Sequence, residues 1–189
     1  MNMNVNSESD MYTRAVIDIE TLATCPRAIV TEVAVVFTSR AMLRTRDFLW
    51  EISAFAGDQG DRRLCADTFH WWAERMKAGH EVPGLRSGMA LGEFVDGFLD
   101  VWSRHAAPEC EVWCQGTDFD VAILSDVLDS YGYDEPWKHR QVRDLRTLKA
   151  AAGWKRPDGR VTAHRALADA WEEMLDLRGI LRDGNGGMP

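Results

Sequence analysis

The order of periodic segments predicts an α/β domain: a mixed five-stranded sheet with helices on both faces. Three observations carry this reading. Three strand-like runs come first and close together, as an antiparallel meander does; strand-like and helical runs then alternate, as parallel crossovers require. No internal repeat or low-complexity linker divides the 189 residues. A chain of this length suits one unit, able to bury roughly 70% of the surface its unfolded form exposes. Residues 1–12 are expected to be a disordered lead-in and 183–189 a flexible tail, leaving 13–182 as the domain.

The first strand is Ala15-Val16-Ile17-Asp18-Ile19-Glu20-Thr21, an apolar run interrupted by two acids at alternate positions. Side chains alternate along a strand, so Asp18 and Glu20 share one face, roughly 6–7 Å apart. Two like charges on a central strand are costly unless something neutralises them, and a divalent cation would. The alternative is an edge strand with a solvated polar face.

A second strand is expected over Ala28 to Phe37 and a third over Met42 to Ile52, with a Gly- and Asp-rich loop from Ser53 to Leu64. Asp67 to Met76 reads as a helix capped by Asp67 or Thr68. Ala90 to His105 is amphipathic, with Leu91, Phe94, Val95, Phe98, Leu99 and Trp102 at helical spacing. Pro108 closes that region, Cys110 to Gln115 is the fourth strand, and Asp118 to Tyr131 is a helix. Val142 to Leu145 is a short strand leading into a helix through Ala152. Gly153 to Thr162 is expected as a mobile basic loop, and a last helix spans about Ala163 to Leu181.

Hydrophobic residues make up 46% and charged residues 28%, the mix of a soluble globular protein. No stretch approaches the ~18 apolar residues of a transmembrane helix, and the polar N-terminus lacks an apolar signal region. An intracellular, cytoplasmic protein is the expectation. Cys25, Cys65, Cys110 and Cys114 have no zinc spacing and are expected as buried free thiols of a reducing compartment. The net charge of −8 argues against coating nucleic acid through bulk positive charge. It leaves room for an enzyme whose acidic site is offset by bound cations.

Two further acidic signals open helices. In Gln115-Gly116-Thr117-Asp118-Phe119-Asp120 a strand ends in a glycine turn, where ligand sites of open α/β sheets fall. Thr117 and Asp120 also fit a capping pattern. Asp118 is expected to cap the helix, and Asp120, beside a core-anchored Phe119, is the better metal candidate. His164 and Asp169 are five residues apart, which on one helix would separate them by roughly 140°. His164 is therefore expected at the helix mouth, pointing inward, with Asp169 on the helix body. An exposed His and a solvated Asp are the alternative.

Together, Asp18-Ile19-Glu20, Phe119-Asp120 and His164 with Asp169 resemble the three motifs of the DEDDh 3′–5′ exonucleases, which have the ribonuclease H-like fold. Asp18-Ile19-Glu20-Thr21-Leu22, the Trp71-Trp72 helix, Pro136-Trp137 and Arg143 to Leu148 resemble the family's compact bacterial and phage exoribonuclease branch. The resemblance implies a metal-dependent enzyme with two Mg²⁺ or Mn²⁺ ions held by Asp18, Glu20, Asp120 and Asp169, and His164 as general base. It implies a single-stranded nucleic acid substrate attacked from the 3′ end, RNA favoured over DNA, with nucleoside 5′-monophosphates released. A homodimer is plausible on the same ground. Thr21, Leu22, Trp71, Trp72 and Arg165 are the candidate substrate contacts; Leu22 resembles the residue that abuts the terminal base. Trp71 and Trp72 differ by about 100° on a helix, so one packs inward while the other is freer to stack a base. Arg143 and Asp144 resemble a structural ion pair or a position that supports the site from behind, with direct contact to substrate as the alternative. The rivals are a DNA or short-oligonucleotide exonuclease and, from another class, an inactive nucleic-acid-binding or host-interaction protein.

Overall fold

The structure, a computed structural model, describes residues 11–155 and 164–183. Residues 1–10 of the expected lead-in, residues 156–162 of the basic loop and the tail from 184 lie outside them. The elements run β1 (Tyr12–Thr21), β2 (Val30–Thr38), β3 (Thr45–Glu51), α1 (Ala66–Lys77), α2 (Leu91–His105), β4 (Ala106–Cys114), α3 (Asp120–Ser130), β5 (Val142–Asp144), α4 (Leu145–Ala151) and α5 (Ala166–Asp183). The sheet order is β3-β2-β1-β4-β5. The first three strands pair antiparallel, and β4 and β5 join parallel. This is the mixed five-stranded sheet that the segment order predicts.

Alternation along β1 divides the core in two. Ala15, Ile17 and Ile19 join Val33, Val35 and Phe37 under Phe94 and Phe98 of α2 and Ile123 and Leu124 of α3. Val16 points the other way, with Ala34 and Val36, under Ala166, Ala170, Met174 and Leu177 of α5. Each large side chain so buried contributes roughly 1.5–3 kcal/mol. The small Ala166 and Ala170 let α5 approach the sheet, whereas Ala168 is exposed on its outer side. With both faces covered, every residue of β2 is buried, including Glu32. A third, smaller cluster of Leu22, Ala54, Trp72 and Val82 fixes α1 against the end of β1.

Several boundaries differ from the sequence reading. Strand β3 begins at Thr45 because Ser39 to Arg44 form a turn, in which Ser39 Oγ accepts from the amides of Leu43 and Arg44. Strand β4 leaves α2 with no loop and passes through Pro108. Its register with β1 breaks between Tyr12 and Arg14, and a proline without an N–H is tolerated in such an irregular stretch. Helix α1 starts at Ala66, with Cys65 at the N-cap instead of Asp67 or Thr68. Asp67 instead lies in the first turn, where its charge favours the helix dipole.

One irregularity lies beside the acidic strand. Glu20 pairs with Glu32 but Thr21 with Val30, so β2 carries one extra residue at Thr31. Buried Gln59 accepts from the Val30 amide and donates to the Val30 carbonyl, both at 2.9 Å. Thr31 Oγ1 donates to the Glu20 carbonyl at 3.1 Å. All four cysteines are free; Cys110 and Cys114 are buried as expected, whereas Cys25 and Cys65 are only half-buried. Among the described residues no helix is long and apolar enough to cross a membrane.

Candidate active site

At the carboxyl ends of β1 and β4, a cavity of about 190 Å³ is lined by Asp18, Ile19, Glu20, Gln115, Phe119, Asp120, His164, Asp169 and Glu173. All five residues singled out by the motifs thus converge. Oxygens of Glu20 and Asp169 and a ring nitrogen of His164 lie within 4.8 Å of one another.

Each side chain is delivered by a separate device. Gly116, at φ +127°, turns the chain after β4, and its carbonyl accepts from the amides of Phe119 and Asp120. Phe119 therefore occupies the N-cap and Asp120 is the first helical residue, 4% exposed. Asp118 is exposed and lies outside α3, so it does not cap the helix as expected. Asp144 braces this turn from below. It accepts from the Thr147 amide as the N-cap of α4 and from the Thr117 amide at 3.3 Å. The pair expected of Arg143 and Asp144 is not what holds them: Arg143 donates to backbone carbonyls and approaches Glu111.

His164 stands before α5, as expected, with φ +53°, a left-handed conformation that histidine adopts more readily than most residues. Its amide donates to Asp169 Oδ2 at 2.8 Å, so the two meet through the backbone, which a shared helical face would not allow. Glu32 fixes the same segment from the sheet. Its carboxylate accepts from Arg165 Nε and Nη2 and, at 2.6 Å, from the Ala166 amide.

The electrostatics of the cavity are those of crowded acids. Burial pushes Asp18 well above the usual carboxylate range, and the charges of Glu173, Asp120, Glu20 and Asp169 act in the same direction. Burial, followed by the charges of Asp169 and Glu32, raises Glu20 to about 8. Asp120 is raised by burial to about 7 against the lowering effect of the Ile19 amide. Hard oxygen donors packed this closely fit Mg²⁺ or Mn²⁺, and a cation there would relieve the repulsion. His164 is lowered, first by burial and then by the charge of Arg75.

A second cavity of about 420 Å³ shares Ile19, Glu20 and Phe119 with the first and adds Thr21, Thr24, Cys65, Asp67, Thr68, Trp71 and Trp72. Trp72 is the inward tryptophan: its Nε1 donates to the Thr21 carbonyl at 3.0 Å. Trp71 is the freer one, 38% exposed and edge-on to the His164 ring at 4.7 Å. Thr21 lines this cavity, with its hydroxyl donating to the Ala23 carbonyl. Two expected substrate contacts are placed elsewhere. Leu22 is buried in the cluster with Trp72, and Arg165 is held by Glu32 beside a different groove.

Three residues at the site were not anticipated from sequence. Glu173 follows Asp169 by one helical turn, a spacing that could have flagged it. Glu32 is a lone acid within the apolar run of β2, a signal of the same kind as Asp18. Arg75 follows Trp71 by four residues on α1 and reaches His164.

Residues 13–178 match the family model described as the 3′-5′ exoribonuclease Rv2179c-like domain. No curated protein matches the chain in sequence. Among solved structures, E. coli Exonuclease I in complex with a dA16 oligonucleotide superposes with a TM-score of 0.66 at 14% identity, covering 92% of this chain and 41% of that one. The chain thus spans about two fifths of that protein's length. The RNase domain of yeast Pop2 gives a TM-score of 0.63 at 10% identity, covering 95% and 80%. The Mg²⁺- and Mn²⁺-bound form of S. pombe Pop2p gives 0.60 at 10% identity, covering 94% and 86%. At these identities the neighbours establish the fold, which is ribonuclease H-like.

Proposed function

This chain belongs to the Rv2179c-like 3′–5′ exoribonuclease family and is a 3′–5′ exonuclease; from that premise we propose that it trims single-stranded RNA and releases nucleoside 5′-monophosphates. The observation that carries this reading is the convergence of Asp18, Glu20, Asp120, Asp169 and His164 on one cavity that shares a wall with an aromatic one.

Asp18, Glu20, Asp120 and Asp169 are the proposed holders of two Mg²⁺ or Mn²⁺ ions, a choice supported by the Mg²⁺ and Mn²⁺ of S. pombe Pop2p. When bound, such ions stabilise charge on the attacking and leaving oxygens of an in-line phosphoryl displacement. His164 takes the proton of the attacking water. The water oxygen bonds to phosphorus as the bond to the 3′-oxygen of the penultimate nucleotide breaks; that oxygen takes a proton from solvent to become the new 3′-hydroxyl, and the phosphate stays on the 5′-oxygen of the terminal nucleoside. The 420 Å³ cavity receives that nucleoside. Stacking of its base on Trp71 is worth roughly 1–3 kcal/mol.

DNA is the second reading, favoured by the oligonucleotide bound to E. coli Exonuclease I. The test is to incubate end-labelled single strands of RNA and DNA with Mg²⁺ or Mn²⁺ and with chelator. RNA should shorten from its 3′ end to mononucleotides and survive in chelator. Faster loss of DNA would transfer the assignment to the second reading, and intact strands under every metal would leave an inactive binding protein. The four free thiols support a reducing, cytoplasmic setting. The homodimer that the family resemblance implies is read directly by light scattering.

A further inference from the structure

We propose that Arg75 is a contact for substrate phosphate that, before substrate arrives, occupies the proton-accepting nitrogen of His164. The proposal rests on the reading of His164 as the base. Arg75 Nη2 lies 2.9 Å from His164 Nε2. A guanidinium has only donors, so Nε2 must be the acceptor and carries no proton. A neutral imidazole then has its proton on Nδ1 and a single lone pair, and that lone pair is engaged by Arg75. Water cannot be deprotonated by this ring until the guanidinium leaves. With Arg75 on Nε2 the base is therefore masked.

The same geometry indicates what opens it. Trp71 and Arg75 share a face of α1 by their four-residue spacing, and the guanidinium carbon sits 3.5 Å from the Trp71 ring centroid. That places the half-buried cation between the wall proposed for the terminal base and the proposed base catalyst. Among the described residues Arg75 forms no ion pair with a carboxylate, whereas Arg165, next to His164 in the chain, is already bound by Glu32. A phosphodiester accepts two parallel N–H bonds from a guanidinium and carries a full negative charge, whereas the imidazole offers one neutral lone pair. An incoming phosphate thus displaces imidazole as Arg75's partner. The lone pair is released where the phosphate has arrived, which ties activation of the base to occupancy of the site.

Two measurements on the full chain test this. In chelator and without substrate, long-range ¹H–¹⁵N correlation spectra should show His164 with its proton on Nδ1. A non-hydrolysable phosphorothioate RNA should then shift Nε2 in the unmutated chain but not in Arg75→Ala. In the end-label assay, Arg75→Ala should raise KM by roughly 10- to 100-fold, the worth of a hydrogen bond to a charged group, with a smaller change in kcat. Arg75→Lys should recover part of that loss, since it keeps the charge and loses the fork. An Nε2-protonated ring in the free protein, or an unchanged KM in a folded Arg75→Ala, would overturn the proposal. Should the unmutated chain leave RNA intact, the reading of the site falls, and the tautomer and the RNA-induced shift still decide the role of Arg75.

Discussion

Glu20 on β1 and Glu32 on β2 are paired positions in neighbouring strands of one sheet, yet their surroundings are opposite. Glu32 has no exposed side-chain surface, and its charge is met by the Arg165 guanidinium and the Ala166 amide. Glu20 faces Asp169 and Asp120 as well as Glu32, and its carboxyl is pushed up to about 8. Desolvating a carboxylate is costly in either place. For Glu32 the chain supplies the compensation, and the result is a clamp that seats the start of α5. Around Glu20 and Asp18 the charges add, leaving protons or cations to balance them. A buried acid with its partner built in reads as architecture; one surrounded by its own kind reads as a place for something to bind.

The comparison can be broken most forcefully at Asp18. Asp18→Asn should cost on the order of 10³-fold in turnover, the several kcal/mol that a metal ion's charge stabilisation supplies. In chelator the same substitution should raise the melting temperature, because it removes one of the mutually repelling charges. A variant melting below the unmutated chain in chelator would mean that Asp18 is compensated after all. Asp120→Asn should likewise remove most activity while changing stability little.

Glu32→Gln should do the reverse. It leaves Arg165 without its counter-charge, and a stability loss of about 2–3 kcal/mol is expected in chemical denaturation. That is below the ~3–5 kcal/mol of a fully buried pair, because the Arg165 side chain is 43% exposed. A negligible loss would show that the clamp does not carry the seating of α5.

A pH series sharpens the contrast further. The folded protein holds Glu20 protonated up to about 8, against an ordinary value near 4.5. The stability this confers is complete below the unfolded value and is lost as pH rises through about 8. Calorimetry in chelator should therefore show the melting temperature falling between pH 5 and pH 8 as Glu20 ionises, and saturating Mg²⁺ or Mn²⁺ should flatten that slope by taking the place of the protons. A metal-free protein gaining stability over this window would contradict the crowding. The smallest effect belongs to Asp118→Asn. Exposed and outside α3, it should change stability by under ~0.5 kcal/mol and leave turnover intact. Loss of activity there would move the second acidic role from Asp120 to Asp118.

Much of this was legible in the sequence where local pattern dictates structure. The alternation Asp18-Ile19-Glu20 set both the strand and the shared face, and the five-residue step from His164 to Asp169 excluded a shared helical face, although the helix expected from about Ala163 begins only at Ala166. The capping role expected of Asp118 failed because the glycine turn at Gly116 supplies the carbonyl that Phe119 and Asp120 bond, leaving no work for a side-chain cap. The partnership of Arg165 with Glu32 spans 133 residues of sequence, and no local pattern announces it. Arg75 was hidden for the same reason, since its meaning depends on an imidazole 89 residues away.

The extra residue at Thr31 has a consequence for how this chain can change. Below it, Val30 pairs with Thr21 and is held by both ends of the Gln59 amide. Above it, Glu32 stands opposite Glu20 with the parity that puts its carboxylate under α5. Removing one residue here would shift everything on one side of the irregularity by a step, and a step in a strand turns inside to outside. Val30 would lose the Gln59 amide, or Glu32 would face the opposite core. A different side chain at Thr31 forfeits one hydrogen bond to the Glu20 carbonyl; a missing one undoes the register. The strand can absorb a change of letter at this point far better than a change of count.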